Sequence, residues 1–263
     1  YSNAYVEGSY NYLGGLIGNK NSSGKAVVTN CWFDGTVNQK SGNSARITGG
    51  LLGRCGDNVE LNNCLNTGDV RYNNLSTGAL GGLVGLAEGT SVVDKLTINN
   101  CMNTGTITPK TGATANFGAI VGNIKTSDNV TIKNSFAISG TTLVNGAETH
   151  EGVTTATEAN LTGTKAITSI PELFKYRTDD AEPDYRWVVV SNGTPVLKSF
   201  VSQAGSTAMG VDTSWYNESD TVYVLKDAAD LYGFALLSKS NNFANKTVKL
   251  GADITVNEGK ADE

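Results

Sequence analysis

Residues 49–70 read GGLLGRCGDNVELNNCLNTGDV, and each part of that stretch recurs at a near-constant interval through the first half of the chain. Its glycine-framed apolar opening returns as GGLIG (Gly14 to Gly18), GGLVG (Gly81 to Gly85) and GAIVG (Gly118 to Gly122). Its closing NCLNTGDV returns as NCWFDGTV from Asn30, NCMNTGTI from Asn100 and, more loosely, NSFAISGTTL from Asn134. NAYVEGSY from Asn3 reads as a fifth copy of the closing pattern. The small residue after each Asn falls at Cys31, Cys64, Cys101 and Ser135, giving intervals of 33, 37 and 34 residues. A period in that range belongs to a solenoid, in which a unit unable to bury its own apolar face stacks on copies of itself.

Each interval offers three short extended pieces: the pentad, an alternating piece such as Val59 to Leu61 or Leu96 to Ile98, and a Gly-x-Val or Gly-x-Ile tail. Alternation predicts Val59 and Leu61, or Val130 and Ile132, facing inward while Glu60 or Thr131 meets water. The implied fold class is all-β, a parallel β-solenoid with three strands per coil. The unchanging Asn column (Asn3, Asn30, Asn63, Asn100, Asn134) predicts a corner in left-handed backbone, with stacked side-chain amides forming a ladder. Cys31, Cys64 and Cys101 read as a column of small core residues rather than a metal centre, and Cys55 lies off it. Glycines at Gly8, Gly35, Gly68 and Gly105 are expected at the next corner with positive φ, and the wider spacing to Gly140 predicts a bulge. Polar insertions over Asn38 to Thr48, Arg71 to Leu80 and Thr108 to Phe117 are expected to project from one side.

Composition narrows the partners. A net charge of −5 and a pI near 5.0 supply no basic stripe, so neither nucleic acid nor an anionic membrane surface is an expected partner. No apolar run approaches the ~20 residues needed to span a bilayer, so no membrane insertion is expected. No cofactor or metal is expected either: the single His150 stands far from every Cys, and the run from Glu148 to Glu151 lacks the second His of a zinc-protease helix. The glycine pentads lack the Lys-Ser/Thr and following helix that a phosphate cradle requires.

The Gly-Leu-Ile-Gly core of Gly15 to Gly18 and its three copies resemble the GLUG repeat of bacterial surface and secreted proteins, with Ala119 in place of Gly as the mildest departure. The resemblance covers residues 1–145. It implies a right-handed parallel β-helix (β-solenoid) carried by large extracellular proteins such as adhesins, and it implies a scaffold rather than a reaction.

Composition changes after Asn145, since 21 of the 28 Asn precede residue 146. Residues 146–202 are expected to hold a terminal coil and a capping hairpin, WVVVSNGTPVLKSF from Trp187 to Phe200, turning at Ser191 to Gly193. A Ser/Gly/Ala linker then leads into a helix-containing segment, the two together spanning 203–263. Asp227 is the expected N-cap of a helix over Ala228 to Lys239, with Leu231, Phe234, Ala235 and Leu237 on its apolar side. Strands are expected at Val222 to Leu225 and Thr247 to Leu250. This segment resembles the part that precedes a GLUG solenoid. Its position after one is expected of a window on a longer tandem array, or of a fibre subunit whose C-terminal segment adds strands to the next copy.

Acids at one repeat position would be the trace of a glycosidase or lyase. Glu7 and Asp34 share one in this reading and Asp69 lies two residues further on, but no Lys, Arg or His joins them, so a solvated corner is expected and no catalytic residue is assigned. Tyr5 and Trp32 share a column that continues as Leu65, Met102 and Phe136 and reads as core. Tyr1, Tyr5, Tyr10, Tyr12 and Tyr72 are the candidate binding or assembly surface, with Tyr10, Tyr12 and Tyr72 expected to be the most exposed. The reading is a non-enzymatic extracellular module of a bacterial surface protein, structural or adhesive, joined head-to-tail into a filament or bound to a host protein or glycan. The alternative is an accessory or carbohydrate-binding domain of a larger secreted protease or glycan-degrading enzyme.

Overall fold

The computed structural model describes residues 1–21, 23–40, 46–72, 78–89, 95–109, 116–126, 129–138, 141–157, 173, 187–189, 195–200, 212–213, 215–238 and 241–255. The chain divides into two compact units, Tyr1–Ala156 and Thr157–Glu263.

The first unit is a parallel β-solenoid. After β1 (Tyr5–Gly8) come three complete coils. The first holds β2 (Tyr12–Gly14), β3 (Ile17–Lys20), β4 (Ala26–Thr29), β5 (Trp32–Phe33) and β6 (Thr36–Gln39). The second holds β7 (Ile47–Gly49), β8 (Leu52–Cys55), β9 (Val59–Asn62), β10 (Leu65–Asn66) and β11 (Asp69–Tyr72). The third holds β12 (Ala79–Gly81), β13 (Val84–Ala87), β14 (Leu96–Asn99), β15 (Met102–Asn103) and β16 (Ile107–Pro109). A fourth, shorter coil contributes β17 (Asn116–Gly118), β18 (Val121–Ile124), β19 (Val130–Lys133) and β20 (Ser135–Ile138), and β21 (Val153–Ala156) then pairs with β20. Stacking generates five sheets, numbered as sides one to five: β2-β7-β12-β17, β3-β8-β13-β18, β4-β9-β14-β19, β5-β10-β15-β20-β21 and β1-β6-β11-β16.

Each coil therefore has five strands where the sequence suggested three. The pentad is not one strand: its first Gly ends side one and its last two residues begin side two, as with Gly14 and Ile17–Gly18. The Asn column divides the second half of the repeat in turn. Asn30, Asn63, Asn100 and Asn134 adopt φ of 57°, 55°, 53° and 45° and turn the chain from side three to side four. The next corner is made differently from the expectation. Among the described residues Gly35, Gly68 and Gly105 do not have positive φ; they are glycine because a Cβ would lie 2.0 Å from the Ala4 carbonyl, 2.3 Å from that of Gly35 and 2.1 Å from that of Gly68. Close stacking on the coil below excludes a side chain there. Gly140, where the bulge was expected, and parts of the insertions lie outside the described residues.

A second glycine column explains the Ala119 departure. A Cβ on Gly15, Gly50 or Gly82 would meet the carbonyl of the coil above at 2.2, 2.1 and 2.1 Å, and would also strike Phe33, Asn66 or Asn103 across the interior. Ala119 faces Thr142, whose carbonyl accepts its N–H at 2.7 Å, and the interior neighbour column has narrowed to Ala137. Alternation holds on side three, where Val59 and Leu61 are buried on either side of Glu60 and Ile132 is buried beside exposed Thr131.

The N-terminal copy is shifted by four residues from the expected alignment. Val6 pairs with Val37, Tyr5 with Thr36 and Ser2 with Phe33. Burying Val6 on the Val37 and Val70 column decides the register, and the Asn3-to-Gly8 spacing matches the motif only by coincidence. Ala4, not Gly8, takes the glycine corner, and Asn3 stands outside the Asn column.

In the second unit, β22 (Trp187–Val189) and β23 (Pro195–Leu197) form the expected antiparallel hairpin, with its turn at Ser191 to Gly193 outside the described residues. β24 (Val222–Leu225), α1 (Ala228–Leu237) and β25 (Thr247–Leu250) form a β-α-β unit with parallel strands. Asp227 caps α1 by accepting the Asp230 N–H at 3.1 Å, and the Asp230 carboxylate accepts the Lys226 N–H at 2.7 Å. Leu231, Phe234 and Leu237 pack on Trp215, Tyr223 and Leu225, whereas Ala235 is exposed and leaves the expected apolar side. Among the described residues no helix is long and apolar enough to cross a membrane.

Candidate binding surface

The ladders of the interior decide which side chains remain for the surface. Asn63 Nδ2 donates to Asn30 Oδ1 at 2.7 Å and Asn100 Nδ2 to Asn63 Oδ1 at 2.9 Å, so three of the five expected Asn form the ladder. Asn134 keeps the corner backbone but turns its side chain to solvent, and the buried Asn100 Oδ1 ends the ladder without a partner among the described residues. A second ladder lies one side further on, where Asn66 Nδ2 donates to Asn103 Oδ1 at 2.7 Å. Its signal was present in the repeated Asn-Thr-Gly of residues 66–68 and 103–105.

Cys31, Cys64 and Cys101 stack as expected, each thiol donating to the carbonyl two residues back, Thr29, Asn62 and Asn99, at 3.3, 3.1 and 3.3 Å. Ser135 continues the pattern, donating to the Lys133 carbonyl at 2.9 Å. Cys31 is pushed up chiefly by its hydrogen bond with Cys64 and then by burial, and Cys64 is pushed up chiefly by Cys101 against the lowering effect of Cys31. Burial pushes Cys55 up to about 11. All four are free thiols, and no cluster of three or more His, Cys, Asp or Glu among the described residues is placed to hold a metal ion.

The tyrosines do not form one patch. Tyr10 is 78% and Tyr5 63% exposed, and Tyr1 is 44% exposed with its ring 4.7 Å from that of Trp32, the neighbour expected of Tyr5. Tyr12 is half-buried beneath the Arg54 guanidinium, 5.1 Å from the ring centroid. Tyr72 is fully buried, which removes it from the surface: on β11 Val70 and Tyr72 both point inward around exposed Arg71, and the Tyr72 hydroxyl accepts the Arg46 N–H at 3.3 Å. The alternation of β11 already contained that answer.

The outer carboxylates are tied to neighbours. Tyr5 Oη and Asn38 Nδ2 donate to Glu7 at 2.8 and 2.7 Å, and Lys40 Nζ lies 2.6 Å away. Glu7 pairs with Asn38 and not with Asp34, which instead accepts from Thr67, so the expected shared acid position does not exist. Asp69 accepts from Thr106 and Arg71, and Glu88 joins Arg54 to Lys125 across coils. These contacts hold Glu7 below the usual carboxylate range through Lys40, Tyr5 and Asn38, and Asp69 through Thr106 and Arg71. At Glu88 burial pulls upward, but Lys125 and Arg54 outweigh it.

Two clefts open at the solenoid's far end. One, of about 390 Å³, lies between Val130 to Asn134 and the turn carrying His150 and Glu151. The other, of about 400 Å³, is mostly apolar and lies above β16 and β17. No family model, curated protein or solved structure matches this chain.

Proposed function

We propose that this chain is a GLUG-type structural or adhesive module of a bacterial cell-surface or secreted protein, acting without an enzymatic step of its own. What carries the reading is how the repeat uses its chemistry. The Asn, Cys and Gly columns are spent on stacking coils, and the outer acids of side five are neutralised by neighbours in the same or adjacent coils. Such a unit presents a regular surface and suits a stalk or fibre. Copies would join head-to-tail through strand addition, with the exposed Val222, Val224 and Leu250 of the β-α-β unit meeting the β1 end of the next copy, where Tyr5 is exposed.

Light scattering with negative-stain imaging over a concentration series tests this. Filaments with a regular axial repeat are expected, and a monomeric rod at every concentration would remove the assembly. The second reading, a carbohydrate-binding accessory domain of a larger secreted enzyme, is favoured by exposed Tyr10, whose ring suits stacking on a sugar face. Glycan-array binding lost in Tyr10→Ala would select it.

A further inference from the structure

The cleft above β16 lies where a further side-five strand would stack. In the third coil the chain takes 17 residues from Asn103 to Ile120 (120 − 103) and builds β16 and β17 on the way. In the fourth, Ala137 stacks on Asn103, and Leu143 accepts the Ile120 N–H at 3.0 Å after only 6 residues (143 − 137). Among the described residues the fourth coil contributes no strand to side five. Among the described residues nothing pairs with the upper edge of β16, where side five ends. Val37 and Val70, covered above and below, are fully buried, but Ile107 in the same column is only half-buried, as is Phe117 beside it. The opening is walled by Asn103, Ile107, Phe117, Ala119, Ile138 and Thr142.

We propose that this groove is a strand-addition site for an extended segment of another polypeptide carrying Gly-x-Val or Gly-x-Ile. Three features of side five specify that occupant. The layer-to-layer bonds run from Thr36 N to the Ala4 carbonyl at 3.1 Å and from Asp69 N to the Gly35 carbonyl at 2.9 Å, while Val70 N donates upward to Thr106 O at 2.9 Å. By the same pattern the Gly105 carbonyl and the Ile107 N–H bracket the middle residue of an added Gly-x-Val. The corner residue of the added strand must be Gly, because a Cβ at each lower corner would fall 2.0 to 2.3 Å from the carbonyl beneath. The inward residue must be aliphatic and β-branched to continue Val6, Val37, Val70 and Ile107 between Phe117 and Ile138. Main-chain bonds supply affinity in such a complex and the side-chain pockets supply selectivity. The site goes beyond the scaffold reading and does not depend on it, since a monomeric rod would carry the same groove.

The test is fluorescence anisotropy of the intact chain with a labelled peptide of the β16 sequence, Asn-Thr-Gly-Thr-Ile-Thr-Pro, alongside peptides with Ala for Gly and Asp for Ile. Saturable binding is expected, weakened about tenfold or more by either replacement, with the Ile107 amide gaining protection from hydrogen exchange when the peptide is bound. Equal binding of the three peptides, no saturation up to millimolar peptide, or protection at Val6 on the opposite edge in place of Ile107 would each overturn the assignment.

Discussion

Asn63 does two jobs that can be separated by substitution. Its backbone sits at φ 55°, where an L residue with a Cβ is strained by roughly 1–2 kcal/mol, and its amide bonds both Asn30 and Asn100. Asn63→Ala loses both and is expected to destabilise the solenoid by about 2–4 kcal/mol in chemical denaturation, since each buried hydrogen bond contributes roughly 0.5–1.5 kcal/mol. Asn63→Gly relieves the strain alone and should recover about 1 kcal/mol of that loss. Asn134→Ala tests the corner without the ladder, because its side chain is exposed, and should cost only the strain. The thiols give a second prediction at this scale. Cys55, Cys64 and Cys101 are buried, so a disulfide-exchange reagent should titrate them only after denaturation. The sign at Cys55 is that of a folded group binding its proton more tightly than the unfolded chain: its stabilisation is present below the ordinary thiol value and drains as pH rises through about 11.

At the scale of elements, helix α1 depends on its cap. Asp227→Ala removes the acceptor for the Asp230 N–H and the ion pair with Lys198, and is expected to lower the stability of the second unit by about 1 kcal/mol, read by thermal unfolding. Asp227→Asn keeps the cap and should recover most of the loss. This helix and its two flanking strands were legible because an N-cap, a 3.6-residue pattern and β-branched runs are all local signals. The solenoid was legible for the opposite reason, since a repeat announces itself by comparison with its own copies. The count of five strands was not, because whether Gly14 to Gly18 is one strand or two depends on how closely coils approach, and a carbonyl of the next coil leaves no mark in the sequence. The N-terminal copy misled for a related reason. Asn3 and Gly8 match the motif's spacing, but burying Val6 on Val37 outweighs a corner residue, and that choice moved Tyr5 and Glu7 off the columns where the motif placed them. Tyr72 and the Asn66–Asn103 ladder lay within reach of the sequence, through strict alternation on β11 and the repeated Asn-Thr-Gly.

For the whole molecule the coupling between neighbouring coils sets both its response to acid and its tolerance of surgery. Glu60 is held low by Lys25 and Asn62, Asp69 by Thr106 and Arg71, and Glu88, against its burial, by Lys125 and Arg54. A folded carboxylate that gives up its proton more readily than the unfolded one stabilises above the ordinary carboxylate range, and that contribution is lost as pH falls from about 4 through the lower folded values. These pairs are partly solvated, so each contributes roughly 0.5 kcal/mol, and the melting temperature should fall by only a few degrees between pH 5 and 3, less in high salt. Removal of an entire coil should be tolerated better than removal of part of one. Deleting residues 64–100 joins Asn63 to Cys101 and places Asn103 against Gly50, the position Asn66 holds in the intact chain, while Ala119 follows Gly50 as it followed Gly82. The new contacts keep the register of the old ones, although Thr48 meets Phe117 where Leu80 did and the Glu88 bridge between Arg54 and Lys125 is lost. Because each coil touches only its neighbours, stability should drop by about one coil's share without loss of cooperativity. Deleting 64–82 instead cuts within a coil and stacks unlike sides on one another. Circular dichroism and denaturant melts should find the first variant folded and β-rich and the second unfolded; two folded variants, or two unfolded ones, would mean that coil register is not what holds the solenoid together.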